Sequence, residues 1–245
     1  MTKYRDFFYK SYVSIKTPST NVDAEYNTHL TSTKPFFTKI IKKYFPAQLN
    51  SRIIDLGCGD GSLLYFSKQA GYQNIIGYDI SPEQIKIAQS LNLQQIYLKE
   101  ASQAIQETPN HSVDLIISFD VLEHMTKDEV VLFSQAVYSA LKSNGKWIIH
   151  TLNAESPFFG RIRYGDFTHE NGFTASSINQ LLSLVGFKKI YCYEDTPICH
   201  GLKSTIRFFF WKVLRTMYRF FLAIETGEKN GIFSQNFLVV ADKHV

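Results

Sequence analysis

Ile53-Ile54-Asp55-Leu56-Gly57-Cys58-Gly59-Asp60-Gly61 is an apolar run that ends in an acid and opens into three glycines within five residues. Glycine lacks a Cβ and tolerates positive φ, so this pattern suits a buried strand passing through a tight loop on which a ligand can approach the backbone. Ser62 to Ala70 follows with helical periodicity, giving a strand-loop-helix unit. A dinucleotide loop would need glycine three residues after Gly59, but Ser62 stands there, and an acid at the strand end sits poorly beside a pyrophosphate.

Working outward, apolar runs alternate with helical patterns, which predicts a parallel sheet covered on both faces. Strands are expected at Arg52 to Leu56, Asn74 to Asp79, Gln95 to Leu98, Val113 to Phe119 and Gly145 to Leu152, with helices at Ser62 to Ala70, Pro82 to Leu91 and Lys127 to Lys142. Ser81-Pro82 is a helix start with an N-cap and a proline at the first position. A helix at Ala175 to Val185 stopped by Gly186, a strand at Phe187 to Tyr193 and a last strand at Asn236 to Ala241 complete the pattern. The glycine loop suits a ligand with an ammonium and a sulfonium, which Asp55 can attract directly or through water. Asp79, 20 residues after Gly59 at a strand end, can accept from both hydroxyls of a ribose, so the two acids bracket a nucleoside.

The 245 residues, 44% hydrophobic and 15% aromatic, suffice for one large core. Residues 1–50 are expected to form an N-terminal lid or helical segment, with turn formers at Lys16-Thr17-Pro18-Ser19-Thr20-Asn21 and a helix at Pro35 to Tyr44. Residues 51–245 form the main domain, with a helical insertion at about 195–234. The balance of 26 Lys+Arg against 22 Asp+Glu is too mild to indicate nucleic-acid binding. Cys58, Cys192 and Cys199 form no disulfide framework, which fits a reducing, cytoplasmic setting. Neither a signal peptide nor a membrane span is expected.

The segments 55–61, D-L-G-C-G-D-G, and 77–81, G-Y-D-I-S, resemble motif I and the acidic motif II of class I S-adenosylmethionine (SAM)-dependent methyltransferases, a likeness running from Ile53 to about Leu152. The resemblance implies a Rossmann-like α/β fold with a seven-stranded, mostly parallel sheet, and SAM as cofactor. It places Gly57, Gly59 and Gly61 against the methionine part, Asp79 on the ribose and Ile80 on the adenine. Glu100 matches, more loosely, an acid near the adenine amino group. Phe119-Asp120-Val121-Leu122-Glu123-His124 resembles the family's D-V-x-E-H segment, which lies beneath the cofactor and edges the substrate pocket.

Acceptor chemistry should lie beyond the strands' carboxyl ends. His124 is there, and an imidazole of pKa near ~6.5 can take a hydroxyl proton. The loop 153–170 carries Arg161, Arg163 and Tyr164 as a polar wall, and Asp166 and His169, three apart, can pair into a carboxylate-oriented base that competes with His124. Gly165-Asp166-Phe167-Thr168-His169 resembles a stretch of methyltransferases associated with bacterial surface polysaccharides. No metal is required for this chemistry, and Cys58 reads as a small loop residue. Base methylation is disfavoured, since Phe119-Asp120-Val121-Leu122 stands where an Asn/Asp-Pro-Pro-aromatic segment would be. The leading expectation is O-methylation of a sugar or glycan-type acceptor; O-methylation of a quinone-like, lipid-soluble phenol and a SAM-binding regulatory module remain alternatives.

Lys203 to Ile224 reads as one long helix. Ile206, Phe209, Phe210, Val213, Leu214, Met217, Phe220, Phe221 and Ile224 share one arc, opposite Lys212, Arg215 and Arg219. Packing of the apolar arc on the core or on a homodimer partner is one reading. Peripheral contact with the inner face of a membrane through 203–224 is the other.

Overall fold

The computed structural model describes residues 3–16, 22–199 and 201–244; the turn formers expected at 17–21 lie outside the described residues. In chain order the elements are α1 (Lys3–Tyr9), α2 (Tyr12–Lys16), α3 (Val22–Tyr44), β1 (Ile53–Leu56), α4 (Ser62–Gln69), β2 (Ile75–Asp79), α5 (Pro82–Ser90) and β3 (Ile96–Leu98). There follow α6 (Ala101–Gln106), β4 (Val113–Phe119), a 3-10 turn at Leu122–His124, α7 (Lys127–Ala140), β5 (Leu141–Leu152), α8 (Phe159–Arg163), α9 (Ala175–Val185), β6 (Lys189–Glu194), α10 (Leu202–Thr226) and β7 (Asn236–Asp242).

The strands form one seven-stranded sheet in the order β3-β2-β1-β4-β5-β7-β6. β7 runs antiparallel to both β5 and β6, and the other pairs are parallel. This is the parallel sheet that the alternation predicts, in the seven-stranded Rossmann-like form that the resemblance implies. β1 lies near the middle with every residue buried, which is why it reads as unbroken apolar sequence. Ile54, Ile116 and Trp147 on one face pack with Phe133 and Val137 of α7 and Leu182 of α9. On the other, Ile53 and Ile148 pack with Ile40 of α3, Leu64 of α4 and Ile85 of α5. Each such side chain, fully buried, contributes about 1.5–3 kcal/mol.

Local signals set the helix starts. Ser81 caps α5 by accepting from Gln84 N, and Thr126 and Glu129 form a reciprocal capping box on α7. Three boundaries differ from expectation. α3 starts at Val22, thirteen residues before Pro35, which it carries in its interior. α7 stops at Ala140, because Leu141 turns to φ −68, ψ 139 and pairs with Val113, so Lys142 lies in β5. α6 and α8 are short helices in stretches where the sequence pattern placed no element.

Candidate active site

The glycine loop is fastened to β2 by main-chain bonds, Gly57 N and Cys58 N both donating to Tyr78 O at 2.8 and 3.0 Å. Gly57 has φ +80, and a Cβ there would lie 2.3 Å from Val121 Cγ2. Gly59, at φ +53, has open space above it, and that space is a cavity of about 290 Å³. Among the residues expected to touch a cofactor, Gly57, Gly59, Asp79, Ile80, Glu100 and Phe119 line it.

Gly61 and Asp55, also expected at the cofactor, are not among the residues that line this cavity. A Cβ on Gly61 would meet Leu93 Cδ1 at 2.8 Å and Ala88 Cβ at 3.0 Å, so the third glycine lets α4 approach α5 and the stretch before β3. Asp55 is 2% exposed within β1, where burial, with Asp79 and Asp60 nearby, pushes its carboxyl up to about 8.

Asp79 is held by the backbone it helps to shape: Oδ2 accepts from Gly59 N and Oδ1 from Ser81 N, each at 2.8 Å. Burial raises its pKa against the pull of these amides. An ionised carboxylate offers about four acceptor sites, so both oxygens can still take a hydroxyl. On the opposite wall, Asp120 adopts φ +54 and pairs through Oδ1 with His150 Nδ1 at 2.7 Å. Burial would lower the His150 pKa; the carboxylates of Asp120 and, at 3.7 Å, Asp195 outweigh it and push it up to about 10. Glu123 is fully buried, pushed up to about 8 by burial and by Asp120, and accepts from Thr151 Oγ1 at 3.0 Å.

The remaining wall comes from the N-terminus. Arg5, Tyr9 and Tyr12 line the same cavity. Val13 N donates to Glu83 Oε2 at 2.7 Å, Ser14 Oγ also donates to Glu83, and Tyr4 donates to Glu170. Arg5 Nη1 reaches both Glu129 oxygens at 2.9 Å. Burial raises the Tyr9 and Tyr12 pKa values, so both are neutral phenols near pH 7.

Tyr12 donates to Asp166 Oδ2 at 3.2 Å, and Thr168 Oγ1 donates to Asp166 Oδ1 at 2.6 Å and lies 2.9 Å from His124 Nδ1. Since the single Thr168 proton goes to Asp166, His124 donates from Nδ1, and as a neutral imidazole it keeps its lone pair on Nε2. His124 lines the cavity, so Asp166 orients this imidazole through a hydroxyl. The segment turns at His169, whose amide donates to the Asp166 carbonyl at 3.2 Å and whose Nδ1 lies 3.0 Å from Ile162 O. The His169 ring sits 4.8 Å from that of His124, yet His169 lines a neighbouring cavity with Tyr4, Arg163, Tyr164, Asp166, Phe167 and Glu170. The expected wall therefore divides. Arg163 is engaged by the Glu170 carbonyl at 2.9 Å and stacks on Tyr164, while Arg161 is exposed and lines neither cavity.

The sequence pointed to Asp120 and Glu123 only as members of the 119–124 segment, and it did not single out His150, Arg5, Tyr9 or Tyr12. The density of tyrosines before residue 13 was their one visible signal.

A family model described as a methyltransferase domain matches residues 28–191. A small RNA 2'-O-methyltransferase from Arabidopsis thaliana is 27% identical over 177 residues, covering 60% of this chain and 19% of that protein. The chain spans less than half the length of the curated relatives it matches. A SAM-dependent methyltransferase structure from Archaeoglobus fulgidus superposes with TM-score 0.65 at 18% identity over 99% of this chain and all of that one. A phosphoethanolamine N-methyltransferase 2 from Haemonchus contortus, in complex with S-adenosyl-L-methionine, gives TM-score 0.61 at 16% identity, covering 100% and 61%.

Proposed function

The chain belongs to the methyltransferase-domain family, and from that premise we propose that it transfers a methyl group from S-adenosylmethionine to a hydroxyl of a sugar or glycan-type acceptor. The cavity residues fit that cofactor on two counts. A Cβ on Gly59 would project into the open space above it, and the carboxylates of Asp79, Glu100 and Asp120 on the wall favour a cation. Gly57 and Gly59 would hold the methionine part, Asp79 the ribose hydroxyls, Ile80 and Phe119 the adenine, and Glu100 its amino group. Bound there, the cofactor supplies a methyl carbon made electrophilic by a sulfonium.

The observation that carries the acceptor reading is the Asp166-Thr168-His124 chain. His124 Nε2 takes the acceptor's hydroxyl proton as that oxygen gains the methyl, and Asp166 steadies the resulting imidazolium through Thr168. Arg5, Tyr9, Tyr12 and Asp120 give this wall the polar character that a hydroxylated acceptor needs, which ranks a lipid-soluble phenol second. A base oriented in this way has no use in a SAM-binding regulatory module. A role in surface polysaccharide synthesis and a cytoplasmic setting belong to the same reading.

The test is transfer of label from methyl-tritiated SAM to a panel of glycosides, glycan extracts, quinone precursors, RNA oligonucleotides and phosphoethanolamine. Label is expected in an alkali-stable ether on a glycoside or glycan. Label confined to RNA, to a phenol or to an amine would overturn the acceptor reading.

A further inference from the structure

α10 turns to the domain the side that its composition would assign to solvent. Arg215 Nε pairs with Glu194 Oε1 at 2.8 Å, Arg219 Nη2 with Glu194 Oε2 at 3.1 Å, and the Tyr218 ring lies 5.6 Å from Phe233. These contacts hold the Arg215, Tyr218 and Arg219 side inward and the apolar arc outward. None of the 25 residues is buried, and Phe209, Phe220 and Ile224 are 63%, 64% and 67% exposed. The core-packing reading of this arc is therefore overturned. Exposed apolar patches of this extent mark contact surfaces.

We propose that α10 lies on an anionic lipid surface with its apolar arc embedded. Charge complementarity selects that occupant. At 100° per residue Arg207 borders the arc on one side, Lys212 stands about 60° beyond its other edge and Lys203 sits at the arc's N-terminal end, all three exposed, and residues 202–224 contain no Asp or Glu. A second copy docked on the same face would set basic flank against basic flank. Anionic headgroups neutralise both, which is the pattern of an interfacial helix. Among the described residues no helix is long and apolar enough to cross a membrane, so the contact is parallel to the surface. β6 ends at Glu194 beside Phe237, and β7 begins at Asn236 opposite Leu152, so α10 leaves and returns at the carboxyl end of the parallel strands. The cavity opens at that end too.

Co-sedimentation with vesicles of phosphatidylcholine, alone or mixed with phosphatidylglycerol, tests this without using methyl transfer. The protein is expected in the pellet with the mixed vesicles, less so as salt rises and least with phosphatidylcholine alone. Lys203→Glu with Arg207→Glu should lower partitioning about tenfold or more, each cation near the surface being worth roughly fivefold. Phe209→Asp with Phe220→Asp should abolish it while the melting temperature and SAM affinity stay at wild type; if that pair lowers the melting temperature, the charge-reversal pair decides. Protein that stays in the supernatant with mixed vesicles at low salt overturns the proposal. So does a concentration-dependent dimer that Phe209→Asp breaks while vesicles capture nothing.

Discussion

The two walls of the cavity are held in different ways. On the cofactor side, main-chain amides meet a carboxylate close in sequence: Gly59 N and Ser81 N both bind Asp79, and Gly57 N binds Tyr78 O. On the acceptor side, side chains meet side chains across long separations, as in Tyr12 to Asp166, Arg5 to Glu129 and Thr168 to His124. A backbone-built wall keeps its shape under most substitutions, whereas a side-chain-built wall changes with each one. The same fold can therefore keep one cofactor and take many acceptors.

That contrast can be broken most directly at Asp79. Asp79→Ala removes the anchor of the glycine loop together with two charged acceptors, each worth about 1.5–3 kcal/mol, so SAM affinity should fall by roughly 10² to 10⁴ in a calorimetric titration. Affinity within about threefold of wild type would show that the backbone side does not depend on it. His124→Ala should leave that affinity unchanged and slow turnover by about 10² to 10⁴. Loss of both together would erase the division between the walls.

A separate effect should appear as a pH dependence. Asp55 has a folded pKa of about 8 against an ordinary 3.8, so the stability linked to it is full below about pH 4 and is lost as pH rises through 8. That rise is worth roughly 5 kcal/mol, so the melting temperature of the cofactor-free protein should drop by on the order of ten degrees over that interval. Asp55→Asn should flatten the drop, and a slope identical to wild type would remove Asp55 as its source. Tyr12→Phe should give the smallest change, the loss of one bond worth about 0.5–1.5 kcal/mol, read as a two- to tenfold slower turnover at constant melting temperature.

What the sequence disclosed follows the same division. The five parallel strands and Asp79 were legible because the alternation and the 20-residue spacing are properties of contiguous chain. Gly61 was not, since whether a glycine faces a ligand or a neighbour depends on Leu93 and Ala88, about thirty residues on. Tyr12 gave no sign of Asp166, because nothing local encodes a contact between residues so far apart. The faces of α10 were visible from periodicity, but which one turns inward is decided by Glu194, an acid on another element. Helix propensity likewise carried α7 to Lys142, where pairing with β4 had already taken over.

Residues 4–14 touch both halves at once: Val13 and Ser14 bind Glu83 beside the cofactor loops, while Tyr4 and Tyr12 bind Glu170 and Asp166 across the mouth. Two ligands that share one such segment are thermodynamically linked. Whatever ordering of the segment the first ligand brings about need not be repeated by the second, and the factor by which SAM tightens an acceptor must equal the factor by which that acceptor tightens SAM. Cutting the tether at Ser14 or Tyr12 should drive that common factor toward unity from either direction of titration.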